Sequence, residues 1–403
     1  MSIQDEHTSG SPSANPVVET ASESGRIFLD ANSTTRPYPE VIETVAHHLR
    51  FAYANPGSRH AEGRKARRVF EESREKIADL LGASPGEVVF TSGGTEASNM
   101  AIFGFTSSVP EMIALTAGEH PATIESCQAL AQRGWKLVNM DVDSDGRLLP
   151  DQFASLPWES LKLVTVILAH NETGVIQDTT ALAGHCQERG VPLHIDAVQA
   201  VGKIPVNFRE LKATSLALGA HKFHGPRGIG ALLLREGAQL APLQYGGHQE
   251  SGRRPGTEMV ALAAGMARAL EICHDDMNSR IATLQSMRDE LEQRLRATCE
   301  PTVLNSPTEH RLPNTLNLSF PGVDGEAMLV ALDLDGIACS LGSTCASGSA
   351  EPAPVLMAMG RSEDIYKSAV RFTLSSDNRP EEIPIAAQRI AAVVKRLRES
   401  VSS

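Results

Sequence analysis

Leu161-Lys-Leu-Val-Thr-Val-Ile-Leu-Ala169 is followed by His170-Asn171, then by Thr180-Ala-Leu-Ala-Gly-His-Cys-Gln-Glu-Arg189, then by Val191-Pro-Leu-His-Ile-Asp196. The first run is almost continuously apolar and predicts a strand, the second predicts a helix, and the third a strand ending at Asp196. Continuous rather than alternating apolar strands belong to a parallel sheet covered by helices on both faces. Ligands in such sheets bind beyond the carboxyl ends of the strands. The polar residues that follow each strand are therefore the first candidates for chemistry.

The same alternation continues on both sides. Residues 87–91 predict a strand that runs into Ser92-Gly-Gly-Thr-Glu-Ala-Ser-Asn99, the opening of a helix. Strands over 112–116 and 135–140 flank a helix over 121–133, with Glu119-His120 between the first strand and that helix. Downstream, the apolar run from Leu216 ends in a small-residue turn carrying His221-Lys222, with a Gly- and Pro-rich exit to Gly230. Towards the N-terminus, residues 26–30 predict a short strand. Pro39 then starts a helix to about Arg50 with Val41, Ile42, Val45 and Leu49 on one face. A longer helix over 61–81 stops at Gly82. Towards the C-terminus, 257–300 is largely helical. It leads to strands over 315–320, 327–334 and 369–374 and a last helix near 380–398.

A chain of 403 residues is too long for one core, so about two domains are expected. The 37 basic and 49 acidic side chains leave a net charge of −12, which argues against nucleic acid or an anionic membrane as partner. No apolar run approaches the ~20 residues that span a bilayer. The 6 cysteines contain no CxxC pair and suggest a reducing compartment, the cytoplasm. Residues 1–25 are rich in Ser, Glu, Thr and Pro. They read as a disordered tail, neither a secretory signal nor a typical transit peptide.

Several strand ends carry groups that suit one ligand. A lysine in a tight turn beside apolar strands loses its charge more easily, as an amine nucleophile must. The Gly93-Gly94 turn before a helix offers free N–H groups to a phosphate, with Thr95 adding a hydroxyl. A dinucleotide fold would require GxGxxG, and this turn lacks that spacing. Pyridoxal phosphate needs a lysine, a carboxylate at its pyridinium nitrogen, a stacking side chain and a phosphate cup. Lys222, Asp196, His120 and the Ser92–Thr95 turn supply that set. Apart from these, Ala338-Cys-Ser-Leu-Gly-Ser-Thr-Cys345-Ala-Ser-Gly-Ser-Ala-Glu-Pro352 is dominated by small residues. A thiol at Cys345 is better placed for reaction than for packing, whereas Cys339 reads as a core thiol.

Ten segments in order now carry a resemblance. They begin with Leu29-Asp-Ala-Asn-Ser-Thr-Thr35, Thr91-Ser-Gly-Gly-Thr-Glu96, Glu119-His-Pro121 and Asn171-Glu-Thr-Gly174. They continue with Asp196-Ala-Val-Gln-Ala-Val-Gly202, His221-Lys222, Gly246-Gly-His-Gln-Glu250 and Arg253-Arg-Pro-Gly-Thr257. The Cys345 loop and Val370-Arg-Phe-Thr-Leu374 complete the set. Residues from about 26 to 395 resemble the cysteine desulfurases of class V aminotransferase type. Within them the long cysteine loop resembles group I, which serves iron–sulfur-cluster assembly and nitrogenase maturation.

The resemblance implies a fold-type I pyridoxal-phosphate-dependent transferase of α/β class. A large domain, 36–272, would hold a mostly parallel seven-stranded sheet. A smaller α/β domain, 26–35 with 273–403, would carry the Cys345 loop. Lys222 would bind pyridoxal phosphate, Asp196 its pyridinium nitrogen and His120 its ring face. Asn171 and Gln199 would touch the ring oxygen or the substrate. Gly94, Thr95, His221 and Thr257 would hold the phosphate, Thr257 reaching in from the partner subunit of a homodimer. Arg371, helped by Asn32 or Asn171, would clamp the substrate carboxylate.

Cys345 would take sulfur from L-cysteine as a persulfide and leave L-alanine, with Lys222 and His120 moving protons. No resident metal is expected, although Cys345 could transiently touch an iron–sulfur cluster. Acceptors would be an iron–sulfur scaffold or a tRNA- or cofactor-thiolation relay. A selenocysteine lyase, or another class V aminotransferase or lyase, is the alternative. Two positions depart from the family: Gly219, where Ser is common, and Arg227, where Lys is common.

Overall fold

The computed structural model describes residues 25–107, 109–341 and 353–401. Ile27–Phe28 (β1) opens the described chain. The large sheet consists of Val88–Thr91 (β2), Met112–Thr116 (β3), Lys136–Met140 (β4), Leu161–Ile167 (β5), Leu193–Asp196 (β6), Ser215–Gly219 (β7) and Gly230–Leu234 (β8). Their order is β2-β8-β7-β6-β5-β3-β4. The β4, β3, β5, β6 and β7 strands pair in parallel, while β8 lies antiparallel to both β7 and β2. Two antiparallel pairings in succession return β2 to the direction of β7. Six strands therefore point their carboxyl ends to one edge, and only β8 runs the other way.

Helices cover this sheet because its central strands are apolar on both faces. Leu163, Val164, Val166, Ile195, Leu216, Ala217 and Leu218 are all buried. Parallel strands need crossovers, and the helices Gly94–Phe105, Pro121–Ala131 and Thr180–Arg189 supply them. A second sheet contains Val303–Leu304 (β9), Thr315–Ser319 (β10), Ser340–Leu341 (β12) and Ala369–Thr373 (β13) in the order β12-β13-β10-β9. Ile337–Ala338 (β11) pairs with β1. A separate core gathers Ile27 and Leu29 with Leu284, Leu316, Phe372 and Ile390, whereas Cys273 belongs to the core of the large sheet. Segment 29–35 thus bridges the two units, with Leu29 in one core and Thr35 hydrogen-bonded to His221 on the other.

Two expectations need correction. Residues 327–334 do not form a strand; they belong to the helix Gly325–Leu334. An apolar run of that length does not distinguish strand from helix. Here Asp324 decides, its carboxylate accepting the Ala327 N–H at 2.8 Å as an N-cap, ahead of helix-favouring Glu, Ala, Met and Leu. The helix buries Met328 and Leu332, one turn apart. The helix Pro39–Phe51 does form, but only Val41 of its apolar face is buried. Ile42 and Leu49 are 55% and 64% exposed, whereas Val45 lies against Gly265.

Candidate active site

The common edge of the large sheet opens on a cavity of about 380 Å³. Lys222 enters it from the single turn Ala220–Lys222 that follows β7. The turn closes tightly because Gly225 returns past Ala220, where a Cβ would sit 2.7 Å from the Ala220 carbonyl oxygen. Lys222 Nζ donates to the main-chain carbonyls of Asn32 at 2.6 Å and Ser33 at 2.9 Å. Burial, and then the nearby Arg371 charge, lower its pKa to about 8.

Asp196 ends β6, one strand over. Its Oδ1 accepts the Val198 N–H at 2.9 Å, and it makes no ion pair among the described residues. Burial pushes its carboxyl up, and the charges of His120 and Lys222 oppose that shift. His120 caps the helix Pro121–Ala131, with Nδ1 accepting the Ala122 N–H at 3.1 Å. A neutral ring with Nδ1 as acceptor carries its proton on Nε2. Burial lowers the ring's pKa, so the neutral form is favoured.

The glycine turn expected to cup a phosphate stands at the start of the helix Gly94–Phe105, where Gly94 and Thr95 line the cavity. A Cβ on Gly94 would meet Val198 Cγ2 at 2.4 Å, so only glycine lets the helix end approach the segment after Asp196. Gly219 adjoins this cup, since a Cβ there would lie 3.3 Å from the Gly94 nitrogen. His221 also lines the cavity, its ring pushed down to about 4 by burial and then the Lys222 charge.

Gln199 and Asn171 reach the same space. Asn32 lies at its wall, but its side chain turns away. Asn32 Nδ2 donates to Asn171 O and Thr315 Oγ1, both at 3.0 Å, and its oxygen accepts from Lys203 at 2.7 Å. Asn32 therefore offers Lys222 and Gln199 its main-chain carbonyl, and its amide is already committed.

Arg371 sits on β13 between Asn317 and Ser340. Its Nη1 donates to Glu172 Oε1 at 2.9 Å and Asn171 O at 3.3 Å. Its Nη2 donates to Asp30 Oδ1 at 2.8 Å and Ser33 Oγ at 2.9 Å. Burial disfavours this guanidinium charge, but Glu172 and Asp30 outweigh burial and keep it ionised. Only Nε lacks a partner among the described residues, so a bidentate carboxylate must displace one of these contacts.

Two expected residues stand apart from this group. Thr257 is exposed and outside the cavity, on a segment pinned by Arg254–Glu96 at 2.8 Å and Arg67–Glu258 at 2.7 Å. Cys345 lies outside the described residues, although Ser340 and Leu341 just before it line the cavity.

Sequence reading missed Glu172, Asp30, Lys203 and the role of Glu119. The first two stood inside quoted segments, but nothing local revealed an arginine partner roughly 200 or more residues away. Glu119 is buried beneath the site, with Oε1 accepting the Ile167 N–H at 2.6 Å and Oε2 unpartnered among the described residues. Burial, reinforced by the Asp196 charge, pushes its pKa from 4.5 to about 8. Between those values the folded chain keeps a proton that the unfolded chain releases. Glu119 thus contributes stability below the unfolded pKa that is lost as pH rises through the folded one. Glu119→Gln keeps the Ile167 contact and removes that proton. Thermal unfolding should show the variant gaining on the parent between about pH 5 and about pH 8. A gap independent of pH would mean that Glu119 is ionised in the fold.

The family model "Aminotransferase class-V" matches residues 27–385. A cysteine desulfurase of Enterobacter agglomerans is 42% identical over 375 residues, spanning 92% of this chain and 93% of that protein. Among solved structures, a NifS-like protein superposes with a TM-score of 0.87 at 33% identity, covering 92% of this chain and 100% of its own. SspA in complex with cysteine gives a TM-score of 0.77 at 29% identity, covering 86% and 98%.

Proposed function

The chain belongs to the class V aminotransferase family, and we infer that within it the chain is a cysteine desulfurase, which takes the sulfur of L-cysteine and leaves L-alanine. The observation that carries this reading is the half-buried Lys222 amine facing Asp196 and His120 across one cavity, with the segment leading to Cys345 on its wall.

The cavity fits pyridoxal phosphate. Asp196 is a buried carboxylate without an ion-pair partner among the described residues, suited to a protonated ring nitrogen. The Gly94 backbone is bared at a helix N-terminus, suited to a phosphate. Lys222 supplies an amine to hold the aldehyde. When bound, this cofactor supplies the electron sink that lets the α-proton of an amino acid leave. Lys222, with its pKa near 8, takes that proton. The substrate carboxylate binds at Arg371, at the expense of a contact to Asn171 or Ser33. His120 Nε2 exchanges a proton with the substrate thiol.

Cys345 attacks the substrate sulfur as a thiolate. An S–S bond forms as the C–S bond breaks, and the three-carbon product gains a proton on its methyl. Cys345 ends as a persulfide with no outside oxidant or reductant. The persulfide passes to an acceptor protein of iron–sulfur assembly or of tRNA or cofactor thiolation.

The chain works as a homodimer in the cytoplasm. Ile42 and Leu49, exposed two turns apart on one helix face, support pairing, as does Thr257, exposed on a pinned segment. The five cysteines among the described residues are all free, which supports a reducing compartment. No helix among the described residues is long and apolar enough to cross a membrane.

Purified protein given pyridoxal phosphate should absorb near ~400 nm. With L-cysteine and a thiol reductant it should yield alanine and sulfide in equal amounts. A protein that stays colourless, or that forms pyruvate or a keto acid in place of alanine, would overturn this reading.

A further inference from the structure

Lys203 is buried, belongs to none of the groups that touch the reacting atoms, and lies directly behind them. It follows Gly202, whose left-handed φ of 77° turns the chain past Phe223, where a Cβ would come within 2.3 Å of the Phe223 Cβ. Lys203 Nζ donates to Asn32 Oδ1 at 2.7 Å and to Gln199 Oε1. Gln199 Nε2 in turn donates to the Asn32 main-chain carbonyl at 2.8 Å. That same carbonyl receives the Lys222 amine at 2.6 Å.

An amide side chain is nearly symmetric in shape, and only its neighbours decide which end is which. A reversed Gln199 would set its NH2 group against the N–H groups of Lys203. It would also set its oxygen against the Asn32 carbonyl oxygen. The two oxygens would repel, and the Lys203 amine would lose the acceptor it now donates to. One Nε2 hydrogen of Gln199 remains uncommitted, and Gln199 lines the cavity. The Asn32 amide is fixed in the same way, because its oxygen receives both Lys203 and Asn314 Nδ2 at 3.2 Å.

We propose that Lys203 is a positioning residue that locks the Gln199 amide so that the cavity presents an N–H donor, selecting a ligand with an acceptor oxygen at that point. The proposal rests on the reading that the cavity holds pyridoxal phosphate, whose ring oxygen is such an acceptor. Lys203 touches neither that group nor the substrate and acts through Gln199.

The test is a double-mutant cycle read as the dissociation constant of pyridoxal phosphate, titrated by absorbance into the full chain stripped of cofactor. Lys203→Met keeps the length of the stem and removes both donors. It should weaken binding about tenfold, the scale of one oriented hydrogen bond, and should shift the visible band of the bound cofactor. In a Gln199→Ala background the same change should alter binding by less than about twofold. Equal weakening in both backgrounds would reduce Lys203 to packing and overturn the proposal, as would wild-type affinity in Lys203→Met.

Should Lys203→Met not fold, Gln199→Glu approaches the question from the other partner. It keeps an oxygen for Lys203 but replaces the cavity-facing N–H by a second oxygen, and it should weaken binding at least as much as Gln199→Ala. Wild-type affinity there would overturn the proposal. A parent chain that binds no pyridoxal phosphate would overturn the functional reading itself, and this proposal with it. A parent that binds while the cycle is additive would overturn this proposal alone.

Discussion

Lys222→Ala is expected to give a folded protein that stays colourless with added pyridoxal phosphate and turns over L-cysteine at least about 10²–10⁴-fold more slowly, the range for a lost proton-transfer group. The amine is held by two main-chain carbonyls, so its removal leaves no buried charge without a partner. Its environment is nonetheless specific. Burial draws its pKa to about 8, with Arg371 adding to that shift and Asp196 opposing it. Such an amine can be a base near neutral pH, which an exposed lysine cannot. Absorbance and alanine formation are the readouts. A visible band that survives the change would put the cofactor on another amine, and buried Lys203 would be the first to test.

Cys345→Ser should keep the chromophore and abolish sulfide release, because a hydroxyl cannot accept a sulfane sulfur. The other cysteines are poor substitutes. Burial raises the thiol pKa of Cys127 and Cys186 to about 12, and that of Cys339 likewise, with the Asp30 charge adding to it. Cys273 and Cys299 are raised as well, again chiefly by burial. A thiol so shifted is not the nucleophilic thiolate. Sulfide release that survived in Cys345→Ser would move the acceptor elsewhere, with Cys339 nearest to the cavity wall at Ser340.

Much of the site was legible because it depends on a rule of topology. Lys222, Asp196, His120 and Thr95 are scattered over more than a hundred residues. Each follows a strand that can be read locally, and a parallel sheet must bring those ends to one edge. The direction of β8 was missed, although its connection from β7 is too short for a parallel crossover and the two strands pair antiparallel along their length. The true setting of Arg371 was not legible. Its partners Asp30 and Glu172 come from 341 and 199 residues away, and only the docking of the two cores sets them beside it. The setting of Asn32 was hidden for a similar reason: it lines the cavity, and its side chain bonds Lys203, Asn314 and Thr315 from distant segments. Residues 327–334 misled because an apolar run carries no period of its own, and the deciding residue, Asp324, precedes it.

Delivery of the L-cysteine sulfur to Cys345 is tested most directly by weighing the peptide that contains Cys345 after brief exposure of the cofactor-loaded protein to L-cysteine without a reductant. That peptide should be heavier by one sulfur atom, lose the added mass on reduction, and carry it in proportion to the alanine formed. Alanine formation with an unmodified Cys345 peptide would contradict it.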